Sequence, residues 1–173
     1  MQFYTNGNKN AFIRNGELII ETRKERKKNS QYTSARLLSK KKFRYGFYEM
    51  RAKLPLGRGV WPAFWLLASN RPLNWPDDGE IDVMEYVGYD PNVVHGTIHC
   101  KAYNHMIGTQ KGKSTKFDDK QYNLFQLDWR KDLIRIYVNR KLYFSFKKES
   151  NDKRVWPFDN FFNIILNTAV GKL

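Results

Sequence analysis

The chain is poor in the features that most readily mark a fold or a compartment. A single cysteine, Cys100, stands in 173 residues, which excludes an intramolecular disulfide and leaves the redox compartment open. No apolar run approaches the ~20 residues of a membrane-spanning helix, so no membrane partner is expected. No segment sustains a helical 3.6-residue period over several turns, which argues against a helical bundle. Three histidines and one cysteine do not fall into a set with zinc-like spacing, and no metal site is expected. Residues Met1 to Asn6 carry neither the charged nor the apolar region of a signal peptide; a secretion signal would lie outside this sequence. Internal repeats and low-complexity stretches are lacking as well.

Acid is the scarcer charge. Seventeen Asp and Glu face thirty-one Lys and Arg, for a net charge of +14. Such a balance can mark binding to nucleic acid or another polyanion, yet the basic residues define no nucleic-acid motif. They cluster as Arg23-Lys24-Glu25-Arg26-Lys27-Lys28 and as Lys40-Lys41-Lys42, runs that suit solvated turns or protected sheet edges. No nucleic-acid partner is expected, and the chain reads as a monomer.

What the chain has in quantity is strand-forming residues. Aromatics alone make up 16%, and with the β-branched residues they favour an all-β fold. The length suits one domain, 1–173, large enough to bury a continuous core. Asn15-Gly16 between two apolar stretches signals a hairpin. From Phe43 to Leu54, Tyr48, Met50, Ala52 and Leu54 alternate with polar partners, among them Glu49 and Arg51. Val60 to Ala68 places Trp61 and Trp65 on one face and Phe64 and Leu66 on the other. Val93 to Ala102 alternates again, with His95, Thr97 and His99 on its polar face. Tyr103 to Asp119 reads as a polar loop. Asn123–Trp129, Leu133–Asn139 and Lys141–Lys147 form a meander, and Phe161 to Val170 is the last strand, with Asn163, Ile165 and Asn167 on one face.

One strand does not fit a packing role. Gly79-Glu80-Ile81-Asp82-Val83-Met84-Glu85-Tyr86 carries three acids within six residues, and like charges this close repel. Strand parity puts Glu80 and Asp82 on one face, but Glu85 falls on the other. A β-bulge with Met84 as the extra residue would return Glu85 to the face of the other two. Four strand steps, about 13 Å of backbone, then separate the glutamates, and inward-leaning side chains could reach the ~5–5.5 Å carboxyl spacing of a retaining glycosidase. Tryptophans just upstream suit sugar binding, because a pyranose face stacks on an indole.

Taken together, Gly79–Tyr86, the preceding Trp-Pro-Ala-Phe-Trp-Leu-Leu at 61–67 and the following Val-His-Gly-Thr-Ile-His at 94–99 closely resemble family-16 glycoside hydrolases of the laminarinase-like branch. Tyr-Gly-Phe-Tyr-Glu-Met-Arg-Ala-Lys-Leu-Pro at 45–55 and Ile-Leu-Asn-Thr-Ala-Val-Gly at 165–171 extend the similarity over nearly the whole chain. The resemblance implies a jelly-roll β-sandwich of the concanavalin A-like lectin/glucanase type with a concave substrate groove. It implies endo-acting, retaining hydrolysis of β-1,3-glucosidic bonds in laminarin-type or mixed-linkage β-glucan. Glu80 is then the nucleophile, Glu85 the acid/base and Asp82 the residue that tunes both, with the charges of Glu80 and Asp82 raising the Glu85 pKa. Trp65, Trp75, His99 and Asn167 become substrate contacts, with Arg51 and Glu49 as weaker candidates. The resemblance also implies an extracellular setting. Against the family pattern, the chain is expected to lack both terminal strands, as if truncated at each end. No cofactor is expected, and a structural calcium, which draws on terminal regions, is not predicted. Asn139-Arg140 stands where a glycine-containing hairpin turn is usual. Three alternatives remain open on the residues: a non-catalytic β-glucan-binding protein, cleavage of a sulfated algal galactan, and a basic polyanion binder.

Overall fold

The alternating segments become strands, and in a computed structural model, which describes residues 2–171, they form two large antiparallel sheets packed face to face. In chain order the strands are β1 (Gln2–Tyr4), β2 (Ala11–Arg14), β3 (Glu17–Ile20), β4 (Arg23–Lys27), β5 (Ser30–Ser34), β6 (Arg36–Leu38), β7 (Gly46–Ala52) and β8 (Val60–Ala68). They continue with β9 (Glu80–Glu85), β10 (Val93–His99), β11 (Lys111–Lys116), β12 (Asn123–Arg130), β13 (Leu133–Val138), β14 (Lys141–Lys147) and β15 (Phe162–Val170). Six of them make one sheet in the order β11-β10-β9-β8-β15-β6, and four make the other as β14-β13-β12-β7. A three-stranded sheet, β1-β5-β4, and the β2-β3 hairpin complete the chain.

Period-2 patterning explains the layering. Phe64, Leu66, Ile81, Val83 and Ile98 point inward from the six-stranded sheet and meet Phe125, Leu127, Trp129, Ile134 and Ile136 from the four-stranded one, all buried. Burying each such side chain contributes about 1.5–3 kcal/mol. An aromatic cluster closes one end: Trp129 lies edge-on to Phe162 at 5.1 Å, and Trp156 packs on Phe146 and Phe158 at 5.5 and 5.2 Å. The Trp129 indole N–H donates to the Phe158 carbonyl at 3.1 Å, which ties the 148–161 connection to the core just behind the start of β9.

One expectation needs correction. Tyr103 to Asp119 is not all loop: a 3-10 turn, His105–Ile107, precedes β11, which pairs with β10 along its length. Its sequence, Lys-Gly-Lys-Ser-Thr-Lys, has no apolar face because it is the outer strand of its sheet, with exposed side chains. The first basic run takes the second of its two expected places, a sheet edge: it is strand β4, the outer strand of the small sheet, where repeated Lys and Arg discourage pairing with a second molecule. At the β13–β14 turn Asn139 and Arg140 both adopt positive φ, 49° and 66°. Asn139 anchors this turn by accepting from the Leu124 N–H at 2.9 Å and donating to Asn123 Oδ1 at 2.8 Å.

Candidate active site

Gly79 turns the chain into β9 at φ +92°, where a Cβ would meet Pro157 Cγ at 2.9 Å. Beyond it the expected bulge is present. On one side of β9, Phe64 pairs with Met84 and Trp65 with Asp82, so Val83 has no partner on β8. On the other side His95 pairs with Glu85 and Thr97 with Asp82, so Val83 and Met84 together oppose Gly96. The extra residue against β8 is therefore Val83 rather than Met84. Both side chains are buried in the core, as are Ile81 and Tyr86, and Glu80, Asp82 and Glu85 are left together on the outer face.

The neighbours of each acid follow from the register. His99, Thr97 and His95 lie opposite Glu80, Asp82 and Glu85 on β10, while Leu67, Trp65 and Ala63 lie opposite them on β8. The Trp75 indole N–H donates to Glu80 Oε2 at 3.1 Å, and the Trp61 N–H donates to Glu85 Oε1 at 3.0 Å. Trp75 is held against His105 and His99, with ring centroids 5.0 and 6.0 Å away. Trp65 donates to Asn167 Oδ1 at 2.7 Å, and the Arg36 guanidinium lies 4.7 Å over its ring. Trp61, Trp65, the three acids and Asn167 line one open cleft.

Burial governs the electrostatics. Glu80 is pushed up to about 8, first by desolvation and then by the Asp82 charge, while His99 and the Trp75 N–H pull it down. Asp82, 3% exposed, is driven well above the usual carboxylate range by desolvation, with the Glu85 charge adding to it. Glu85 is also raised by desolvation, against the Trp61 N–H and the two imidazoles of His99 and His105. Burial is thus the first cause of the Glu85 shift, where repulsion from Glu80 and Asp82 was expected; that repulsion is present too, in the upward push of the Glu85 charge on both other acids. Burial likewise lowers His99, although Glu80 and Glu85 oppose this. His99 Nε2 comes within 3.3 Å of Asp82 Oδ2, but that oxygen has no properly aligned hydrogen-bond partner. All three carboxyls are thus raised, so each holds its proton to higher pH than an exposed carboxylate would.

Glu80, Asp82 and His99 also offer one ligand atom each within 4.8 Å of the others, so these are the residues that could hold a cation.

Of the sequence-predicted residues, the structure brings together Glu80, Asp82, Glu85, Trp65, Trp75, His99 and Asn167. Arg51 is not among them. It projects outward from β7 in the four-stranded sheet, with its guanidinium 3.9 Å over the Tyr122 ring; Glu49, on the same face, accepts from Gln126 Nε2 at 2.8 Å. Their alternation marked a solvent face, and it was the solvent face of the wrong sheet. Three residues join the site that were not proposed for it: Trp61, His95 and His105. Trp61 shares its strand face with Trp65 and His95 shares one with His99, so parity could have found both. His105 sits in the stretch read as loop and gave no signal.

Comparison with known proteins decides the family. A model of glycosyl hydrolases family 16 matches residues 1–172. The chain belongs to that family. A family-16 relative, the Rhodothermus marinus beta-glucanase, is 45% identical over 184 aligned residues, covering 99% of this chain and 64% of the relative. This chain therefore spans just under two thirds of that protein. The laminarinase structure from Rhodothermus marinus superposes with a TM-score of 0.94 at 44% identity, covering 98% of this chain and 73% of that one. A mutant of a non-specific endo-beta-1,3(4)-glucanase, co-crystallised with 1,3-beta-D-cellotriosyl-glucose, superposes with a TM-score of 0.94 at 43% identity, over 98% of this chain and 70% of that one. The two-sheet architecture is accordingly the family-16 jelly-roll sandwich.

Proposed function

We propose that this chain catalyses endo-acting, retaining hydrolysis of β-1,3-glucosidic bonds in laminarin-type or mixed-linkage β-glucan. The observation that carries the reading is the bulge, which delivers Glu85 to the face of Glu80 and Asp82 and leaves each glutamate facing an indole N–H. A retaining glycosidase needs one carboxylate to attack and one carboxylic acid to protonate the leaving oxygen.

The proton distribution follows from the surroundings. Asp82 is the most deeply buried of the three and Oδ2 receives no hydrogen bond, so it retains its proton longest. Neutral Asp82 removes the nearest negative charge from Glu80, whose carboxylate is stabilised by the Trp75 N–H. Glu80 attacks the anomeric carbon while protonated Glu85 gives its proton to the departing glycosidic oxygen. The resulting ester carries no charge at Glu80. Glu85, now ionised, takes a proton from water, and that water displaces Glu80 from the anomeric carbon with net retention. Trp65, held by Asn167, offers an indole face along the cleft.

Because a polymeric glucan does not cross a membrane intact, we place this reaction outside the cell. No helix among the described residues is long and apolar enough to cross a membrane. Incubation with laminarin, lichenan, agarose and carrageenan, followed by assay of new reducing ends, tests the reading. Release from laminarin is expected. Release from agarose or carrageenan instead would move the substrate to a galactan. Folded protein that binds laminarin but releases nothing would leave only glucan recognition.

A further inference from the structure

Neither sheet is regular behind the acids. Opposite the β9 bulge, at the far side of the core, β14 has an irregularity of its own: Ile136 pairs with Phe144 but Tyr137 pairs with Leu142, so Tyr143 is an extra residue. Strict alternation from Phe144 and Phe146 would turn Leu142 inward. Instead Leu142 faces solvent at 51% exposure and Tyr143 packs against the core. Its ring crosses the sandwich, and its hydroxyl donates to the carbonyl of Val83 at 3.1 Å. That carbonyl belongs to the residue with no partner on β8. Gly96, the residue opposing the bulge, clears the path: a Cβ there would lie 2.6 Å from the Tyr143 hydroxyl oxygen and 3.0 Å from ring Cζ.

Bulges are irregular because a ladder position is left open, and a buried carbonyl without a donor is costly. Here a bulge in one sheet presents a hydroxyl to a bulge in the other. We propose that Tyr143 is a positioning residue for Glu85: anchored on the four-stranded sheet, its hydroxyl pins the β9 bulge in the register that turns Glu85 into the cleft. The phenol stays protonated, raised by burial and by the charges of Glu85 and Asp82, so it donates throughout the working range. The catalytic consequence rests on the hydrolase reading, but the geometric one does not.

A buried tyrosine commonly needs a partner simply to be satisfied, so the test must separate positioning from stability. Tyr143→Phe keeps the ring and removes the donor. The expected result on laminarin is a kcat about tenfold or more lower with KM within about twofold. A looser bulge admits water to Glu85, whose facing groups are Glu80, Asp82, His95, His99 and His105, so the alkaline limb of kcat/KM should move to lower pH. A melting temperature lower by about 2–4 °C with unchanged kcat and pH profile would overturn the proposal. Titration of the Glu85 carboxyl by carbon NMR in wild type and Tyr143→Phe decides the geometry without turnover. A downward shift supports the clamp even if the wild type cleaves no glucan, and identical titration overturns it. Should Tyr143→Phe not fold, Gly96→Ala retains the hydroxyl while pushing it off the bulge. It should show the same titration shift, and its absence counts equally against the proposal.

Discussion

The indole N–H of Trp75 donates to Glu80 Oε2 across 3.1 Å, while the same ring is packed on His105 and His99. A donor aimed at a carboxylate favours its charged form, and Glu80 must be charged to attack. Trp75→Phe removes the donor and keeps much of the stacking surface. Glu80 should then hold its proton to higher pH, so the acid limb of kcat/KM moves upward. At neutral pH kcat/KM should fall by about tenfold to a hundredfold, in line with loss of one charge-assisted hydrogen bond of about 1.5–3 kcal/mol. A pH–rate series on laminarin with both proteins checks this.

Stability should fall as pH rises. Glu80 titrates near 4.5 when unfolded and about 8 when folded, and Asp82 and Glu85 are raised in the same direction. Between those values the native state holds more protons than the unfolded one, so the slope of unfolding free energy against pH is negative. Glu80→Gln and Asp82→Asn should therefore raise the melting temperature at pH 8 by about 3–6 °C and change it little at pH 4.5. Glu80→Gln should also abolish turnover while sparing oligosaccharide binding. Melting curves across pH 4 to 8, with binding by calorimetry, check both.

Most of the long strands, the meander and the acid constellation were legible in the sequence, because each rests on local parity or a short turn signal. The bulge was legible because three acids at that spacing make sense only if parity breaks. Its extra residue was not: whether Val83 or Met84 lacks a partner depends on the neighbouring strands. Strand β11 was missed because at the edge of a sheet nothing requires an apolar face. Arg51 was misplaced because alternation reports an exposed face without saying of which sheet. Tyr143 lies on a strand that was placed correctly, yet its inward turn depends on an irregularity that no local pattern marks.

Gly79 is expected to resist replacement on two counts, its backbone conformation and its neighbours. Gly79→Ala puts a Cβ at φ +92° and within 2.9 Å of Pro157 Cγ, 3.2 Å of Phe162 Cζ and 3.3 Å of Phe158 Cε1. Backbone strain and overpacking together should cost about 2–4 kcal/mol. Denaturant unfolding measures the loss.

Arg140 offers the opposite case. Its φ of 66° belongs to the left-handed region, where a side chain costs about 1 kcal/mol relative to glycine, and it lies far from the acids on the β13–β14 turn. Arg140→Gly should raise the melting temperature by about 2–4 °C with no change in activity. Paired calorimetric scans and reducing-end assays settle it.

The bulge between Asp82 and Glu85 turns catalytic competence into a matter of counting. With one residue fewer there, β9 would zip against its neighbours without interruption. The last carboxylate would still face the sugar, because Val83 and Met84 together fill one ladder step opposite Gly96 and a single residue fills that step as well. One apolar residue in place of two therefore keeps the three acids together on a flat strand, whereas loss of both, or gain of a third, turns the last acid into the aromatic interior. An aligned sequence with a single gap here should keep the reaction, and one with a gap or an insertion that upsets the parity should be suspected of having lost it even when every acid is still spelled out.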